Sequence, residues 1–114
     1  MLSNPKKQSS NSGLNGRKYD ENALFAACSL LQNAKEAELF FRDLATPAEL
    51  AAFAERWRIA KMLDAGGHSY RDIAAATGAS TTTIGRVARF LREENHQGYR
   101  LILDRLKAKS GATT

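Results

Sequence analysis

Threonine and arginine side chains recur at helical spacing between positions 81 and 92. Thr81 and Thr82 begin the segment, and Arg86, Arg89 and Arg92 follow at intervals of three or four residues. Residues with this spacing share a helix face. Threonine hydroxyls can donate to or accept from base edges, and arginines neutralise phosphates. The pattern therefore predicts a helix face that contacts a nucleic acid.

Such a helix needs a partner helix, a tight turn and apolar anchors, and the segment from Ser69 to Arg92 has all of them. Ala74 offers a small side chain where two helices cross at a steep angle. Gly78, four residues later, tolerates the positive φ of the turn. The apolar anchors are Ile73, Ile84 and Val87. We predict a DNA-binding helix-turn-helix; the alternative is a helical hairpin with a solvated basic face.

The second helix of this motif, Ser80 to Arg92, is predicted to enter the DNA groove with Ile84, Val87 and Leu91 on its buried side. The free N–H groups at its start favour a phosphate. The predicted DNA-binding residues are Arg71, Ser80, Thr81, Thr82, Gly85, Arg86, Arg89 and Arg92. One recognition helix covers about a half-site, so we expect a homodimer on double-stranded DNA.

Composition agrees with a polyanion partner. The 114 residues carry a net charge of +5, and four arginines against one aspartate lie within the motif. Apolar runs are far shorter than the ~20 residues that span a bilayer, so we expect no membrane association. The N-terminal residues do not resemble a secretory signal. The single cysteine, Cys28, is expected to be a buried structural thiol in a cytoplasmic protein.

The chain lacks the residue groups that enzymes need. No nucleophile stands beside a base, and no carboxylate pair suggests a cleft. His68 and His96 have no partner at metal-ligand spacing. We therefore predict that the chain is not an enzyme and has no metal and no cofactor.

Helical periodicity extends beyond the motif, so the predicted fold class is all-α. Residues 1–18 are expected to be a disordered basic arm, 19–110 the helix-turn-helix domain, and 111–114 a flexible tail. The density of Leu and Phe before Thr46 suggests burial against another subunit; an ordinary internal core is the alternative. A last helix, from Tyr99 to about Lys109, carries an apolar stripe of Leu101 or Ile102, Leu103 and Leu106.

One block of residues resembles the Trp-repressor-like superfamily, and within it the YerC/YecD branch of TrpR-related proteins. The resemblance covers about Asn22 to Lys107, and the run TGASTTTIGRV is its most specific part. The other matching residues are Thr46-Pro47, Arg56-Trp57-Arg58-Ile59-Ala60, Met62-Leu63, Gly66, Tyr70 and Ile73. The resemblance implies a Trp-repressor-like fold and an intertwined helical homodimer that binds operator DNA. It favours a repressor over an activator.

The resemblance also implies a corepressor pocket. The family pattern is matched at Thr46, Arg56, Thr83 and Arg86, where arginines and hydroxyls could hold an amino acid. It departs at Val87, where a glycine would face the indole, and at Phe90, where a serine would stand near the ligand amine. Tryptophan is therefore not expected as a ligand. A self-filled pocket and a different small-molecule effector both remain open.

Two alternatives accompany these predictions. Arg56 and Arg58 could simply pair with Glu55 or Asp64 on the surface of their helix. The motif could also be a protein-interaction and dimerisation module that docks on the transcription machinery. A basic, threonine-rich recognition helix favours direct DNA binding.

Overall fold

The computed structural model describes residues 13–112, which form six helices and no strand. They are α1 (Gly13–Cys28), α2 (Ala34–Leu44), α3 (Pro47–Ala65), α4 (Tyr70–Thr77), α5 (Thr81–Arg92) and α6 (Gly98–Ala112). The all-α fold class is confirmed. The described residues form two compact units, one that ends at Leu44 and one that begins at Ala45. Within the described residues, no helix is both long and apolar enough to cross a membrane.

The two ends of the domain differ from the predicted boundaries. Helix α1 begins at Gly13, so residues 13–18 of the predicted arm are helical. Adding residues to an existing helix costs less than starting one, which is why composition alone misplaced this boundary. Helix α6 likewise runs to Ala112, into the predicted tail. Residues 1–12 and 113–114 lie outside the described residues.

The first unit contains α1 and α2, and its apolar side chains are not enclosed within the chain. Phe25 is 64% exposed and Leu30 is 76% exposed. Phe40 and Phe41 contact each other edge to face. Cys28 was expected to be buried but is only partly so. Over residues 16–44, no side chain reaches full burial.

Helix α3 begins at a capping box formed by Thr46 and Glu49. The Thr46 hydroxyl accepts from the Glu49 backbone N–H at 3.0 Å, and the Glu49 carboxylate accepts from the Thr46 N–H at 2.8 Å. Pro47 occupies the first turn, where an N–H has no helical partner. These contacts satisfy donors that a helix start leaves free, so the long central helix of the second unit begins at a defined residue.

The second unit has one apolar core, to which α3, α4, α5 and α6 all contribute. Ile59, Ile73 and Ile84 are fully buried, and fully burying one such side chain contributes about 1.5–3 kcal/mol. The other members are Ala60, Leu63, Ala79, Val87, Ala88, Leu91 and Leu103. The predicted anchors Ile73, Ile84 and Val87 are confirmed.

Helix α6 is held to α3 by an ionic cluster at Asp64. The Asp64 carboxylate accepts from Arg100 at 2.9 Å and lies 3.0 Å from the Lys107 ammonium group. These contacts, that with Lys107 first, hold the Asp64 pKa below its usual value. The suggested pairing of Asp64 with Arg56 or Arg58 is therefore wrong, since the carboxylate faces α6.

The apolar stripe of α6 is only partly used within the chain. Leu103 is buried, whereas Leu101, Ile102 and Leu106 are exposed. Tyr99, at the start of the helix, stacks on Trp57 of α3 with ring centroids 6.4 Å apart. A helix stripe wider than its contact surface leaves apolar residues on either side of the buried one.

Candidate nucleic-acid interface

The turn between α4 and α5 is held by short hydrogen bonds. Gly78 has φ 80° and ψ 1°, and its N–H donates to the Ala74 carbonyl at 2.8 Å. The Thr77 hydroxyl donates to the Ile73 carbonyl at 2.8 Å and accepts from the Ala79 N–H at 3.1 Å. Glycine adopts this left-handed backbone at no steric cost. The predicted role of Gly78 is confirmed, and the turn fixes where α5 begins.

Both helices of the motif have capped starts. The Ser69 hydroxyl accepts from the Asp72 N–H at 3.0 Å, and the Asp72 carboxylate accepts from the Ser69 N–H at 3.0 Å. The Ser69 N–H is the main reason why the Asp72 pKa lies below its usual value. The Ser80 hydroxyl accepts from the Thr83 N–H at 3.1 Å and donates to the Thr83 hydroxyl at the same distance. A capped start places the first turn of each helix firmly.

Helix α5 has two distinct sides. Ile84, Val87 and Leu91 lie in the core, whereas Thr81 and Thr82 in the first turn are exposed. Arg86, Arg89 and Arg92 are exposed on later turns, and Arg71 is exposed on α4. Because the apolar side packs into the core, the polar side of α5 faces outward and is available to a groove of DNA.

The arginines of α5 differ in their surroundings. The Arg86 guanidinium lies 4.3 Å from the centroid of the Phe90 ring, and that of Arg89 lies 5.2 Å from it. Arg89 also donates to the Glu94 carboxylate at 3.2 Å. Sequence reasoning missed Phe90 and Glu94 as partners of these arginines, although the i,i+4 spacing of Arg86 and Phe90 was a usable signal.

Gly85 lies within α5, near the exposed arginines. A Cβ built at this position meets no atom within 4 Å. Glycine inside a helix costs about 0.5–1 kcal/mol relative to alanine. No neighbouring atom within the chain requires a residue without a side chain at position 85. A glycine there suits close approach by the backbone of a ligand.

The four residues of the predicted ligand pocket each have a local contact. The Thr46 hydroxyl belongs to the α3 cap, and that of Thr83 is bonded to Ser80. Arg56 lies over the Phe53 ring at 5.7 Å, and Arg86 lies over Phe90. Among the described residues, these four form no hydrogen bond, ion pair or ring contact with one another.

A cavity of about 290 Å³ lies beside α5, and Arg86 is the member of that predicted set that lines it. Its other lining residues are Val87, Phe90, His96, Gln97, Gly98 and Tyr99. Phe90 and Val87, the two positions that depart from the family pattern, both line this cavity. The α5–α6 connection contributes to this cavity, and only its break in helical pattern was visible in the sequence.

Known proteins share this arrangement. A model of the Trp repressor protein family matches residues 20–107. YerC, an uncharacterized protein of Bacillus subtilis strain 168, is 40% identical over 94 residues, which cover 82% of this chain and 86% of YerC.

Solved structures agree. A TrpR-like protein from Eubacterium eligens ATCC 27750 is 42% identical, with a TM-score of 0.69 over 75% of this chain and 87% of that protein. A protein from Staphylococcus aureus described as a candidate Trp repressor is 39% identical, with a TM-score of 0.71 over 78% of this chain and 87% of that protein. The family is regulatory and non-enzymatic, which confirms the prediction that this chain is not an enzyme. With the matched helix-turn-helix and these relatives, the chain belongs to the Trp repressor protein family.

Proposed function

We propose that the protein is a sequence-specific DNA-binding transcriptional regulator that acts as a homodimer through the helix-turn-helix at 69–92. Repression is the proposed outcome, and a cytoplasmic location with access to the chromosome is part of the proposal. The proposed DNA contacts are Arg71, Ser80, Thr81, Thr82, Gly85, Arg86 and Arg92; Arg89, the remaining residue of the predicted set, is paired with Glu94.

The two-sided nature of α5 carries this proposal. Its apolar side is buried against α3 and α4, while its first turn presents Thr81 and Thr82. A helix N-terminus with exposed hydroxyls suits base edges, and the arginines further along suit phosphates. Because the turn and both caps are hydrogen-bonded, the reading surface is largely formed before DNA arrives.

Unused apolar surface supports the homodimer. Leu39 of α2, Phe53 of α3 and Ile102 of α6 are all substantially exposed in the single chain. Burial of apolar side chains is the main favourable term in association. Two recognition helices would then contact half-sites about one helical turn apart. An interlocked arrangement of the two subunits, as the family resemblance implies, is part of the proposal.

Tryptophan is not the proposed effector. Phe90 and Val87 occupy one wall of the cavity beside α5, where they occupy space that an indole would need. The hydroxyls of Thr46 and Thr83 are already hydrogen-bonded within the chain. A small molecule of another kind, with a group that suits Arg86, stays open as an effector.

The first test is selection of bound fragments from sheared genomic DNA of the source organism at about physiological salt. A palindromic site is expected, and a labelled duplex carrying it then serves for affinity measurements. Binding should weaken steeply with salt, because the log–log slope is about −0.9 per neutralised phosphate. Docking on a protein of the transcription machinery through apolar contacts would instead show little salt dependence.

Two substitutions separate the roles within the interface. Arg92→Gln should weaken binding to all duplexes alike and reduce the salt slope by about one counterion. Thr82→Ala should relax preference at one base pair, worth about 1–3 kcal/mol if a good base contact is lost. If both variants weaken only non-specific binding, α5 does not read bases.

A further inference from the structure

Arg89 differs from the other exposed arginines of the motif because a carboxylate holds it. Its Nε donates to Oε2 of Glu94 at 3.2 Å, and both side chains are close to half exposed. The guanidinium also lies 5.2 Å from the centroid of the Phe90 ring. Among the described residues, Arg71, Arg86 and Arg92 form no ion pair. The recognition helix therefore presents one neutralised arginine beside unneutralised ones.

The backbone at the end of α5 positions Glu94 for this contact. The Arg89 carbonyl accepts from the N–H groups of Glu93 and Glu94, at 2.7 Å and 3.1 Å. The Gln97 side-chain amide donates to the Glu94 carbonyl at 2.6 Å. The backbone N–H and the carbonyl of Glu94 are thus both hydrogen-bonded. This lowers the entropy cost of keeping its carboxylate near Arg89.

This arrangement competes with DNA. A phosphate that approaches Arg89 meets a donor already engaged by a carboxylate, and the carboxylate itself repels the phosphate. Counterion release depends on how many cationic side chains neutralise phosphates. An arginine that stays paired within the protein adds little to that number.

We propose that Glu94 is an autoinhibitory positioning residue: it holds Arg89 against Phe90 and keeps this arginine from neutralising a DNA phosphate. The inference rests on the proposed DNA-binding function and deepens it. Glu94 lowers the affinity of the recognition helix for the DNA backbone without touching its base contacts. Sequence discrimination then depends more on the first turn of α5 and less on charge.

The test compares Glu94→Gln with Glu93→Gln on a non-specific labelled duplex over a salt series. Both changes remove one negative charge near the same helix end, but only Glu94 pairs with Arg89. Glu94→Gln should tighten binding about two- to fivefold, the range of an exposed ion pair. It should also steepen the salt slope by about 0.9, one extra phosphate contact. Glu93→Gln should leave the slope unchanged.

Arg89→Gln completes the cycle. In the otherwise unchanged protein it should leave the salt slope nearly as it is, whereas in the Glu94→Gln background it should remove the gain. Thermal unfolding checks that the variants are folded; the hydrogen bonds that position residue 94 use its backbone, so glutamine preserves them.

Three results would overturn the inference. Equal effects of Glu94→Gln and Glu93→Gln would show that net charge alone matters. A loss of slope in Arg89→Gln as large as that in Arg92→Gln would show that Arg89 already contacts a phosphate. Absence of salt-dependent DNA binding by the unchanged protein would defeat the proposed function and this inference together, whereas the first two results defeat the inference alone.

Discussion

Replacement of Gly85 by alanine should move stability and DNA affinity in opposite directions. The added Cβ meets no atom within 4 Å, so no steric cost offsets the better helix propensity of alanine. The gain is about 0.8–1 kcal/mol in the free energy of unfolding. For a domain of 60–100 residues, 1 kcal/mol corresponds to a rise of about 4–8 °C in the unfolding temperature.

The same methyl group should weaken DNA binding if Gly85 faces the duplex. A methyl forced into a closely packed contact typically costs about 1–3 kcal/mol, so affinity should fall at least about fivefold. Scanning calorimetry measures the first effect, and fluorescence anisotropy with the selected duplex measures the second.

Gly16→Ala is the matched control for Gly85→Ala. Gly16 lies inside α1, and a Cβ there also meets no atom within 4 Å. This control should not weaken DNA binding, since Gly16 lies outside the motif. If Gly85→Ala raises stability but leaves DNA affinity unchanged, Gly85 lies off the interface. If it lowers stability, the reasoning about open space around α5 is wrong.

The remaining predictions concern the turn, the ionic cluster and the cavity. Gly78→Ala should lower the free energy of unfolding by about 1–2 kcal/mol, measured in urea, because alanine resists a left-handed backbone. Since Lys107 and Arg100 depress the Asp64 pKa, its stabilisation is present above the unfolded pKa of about 3.9 and lost as pH falls through the folded pKa. Asp64→Asn should therefore lower stability at pH 7 and flatten its loss below about pH 4. Calorimetric titration with L-tryptophan should show no saturable binding, and micromolar affinity would contradict the role given to Phe90.

Local signals in the sequence are sufficient for several helix ends of the second unit. The Thr46 and Ser69 caps, and the turn at Gly78, depend on contacts between residues at most four positions apart. Such contacts form in nearly the same way wherever the pattern occurs, because helix geometry sets the spacing. The buried anchors Ile73 and Ile84 followed from the same periodicity.

Contacts between distant residues could not be predicted in this way. Asp64 was one of two suggested partners for arginines of its own helix, yet it pairs with Arg100, 36 residues away. Helical periodicity predicted an apolar stripe on α6. In the structure Leu103 of this stripe is buried, whereas Leu106 is exposed. Spacing identifies a face, and only the path of the chain decides what that face meets.

The sequence by itself determined the all-α fold class, the helix-turn-helix and the threonine and arginine side of α5. The tertiary structure decided which cations are engaged by distant carboxylates, as the contacts of Arg100 and Lys107 with Asp64 show. It also decided that the cavity beside α5 is lined by the α5–α6 connection. The physical reason is range: caps and turns are short-range hydrogen bonds, whereas ion pairs and cavities depend on how separate helices are packed.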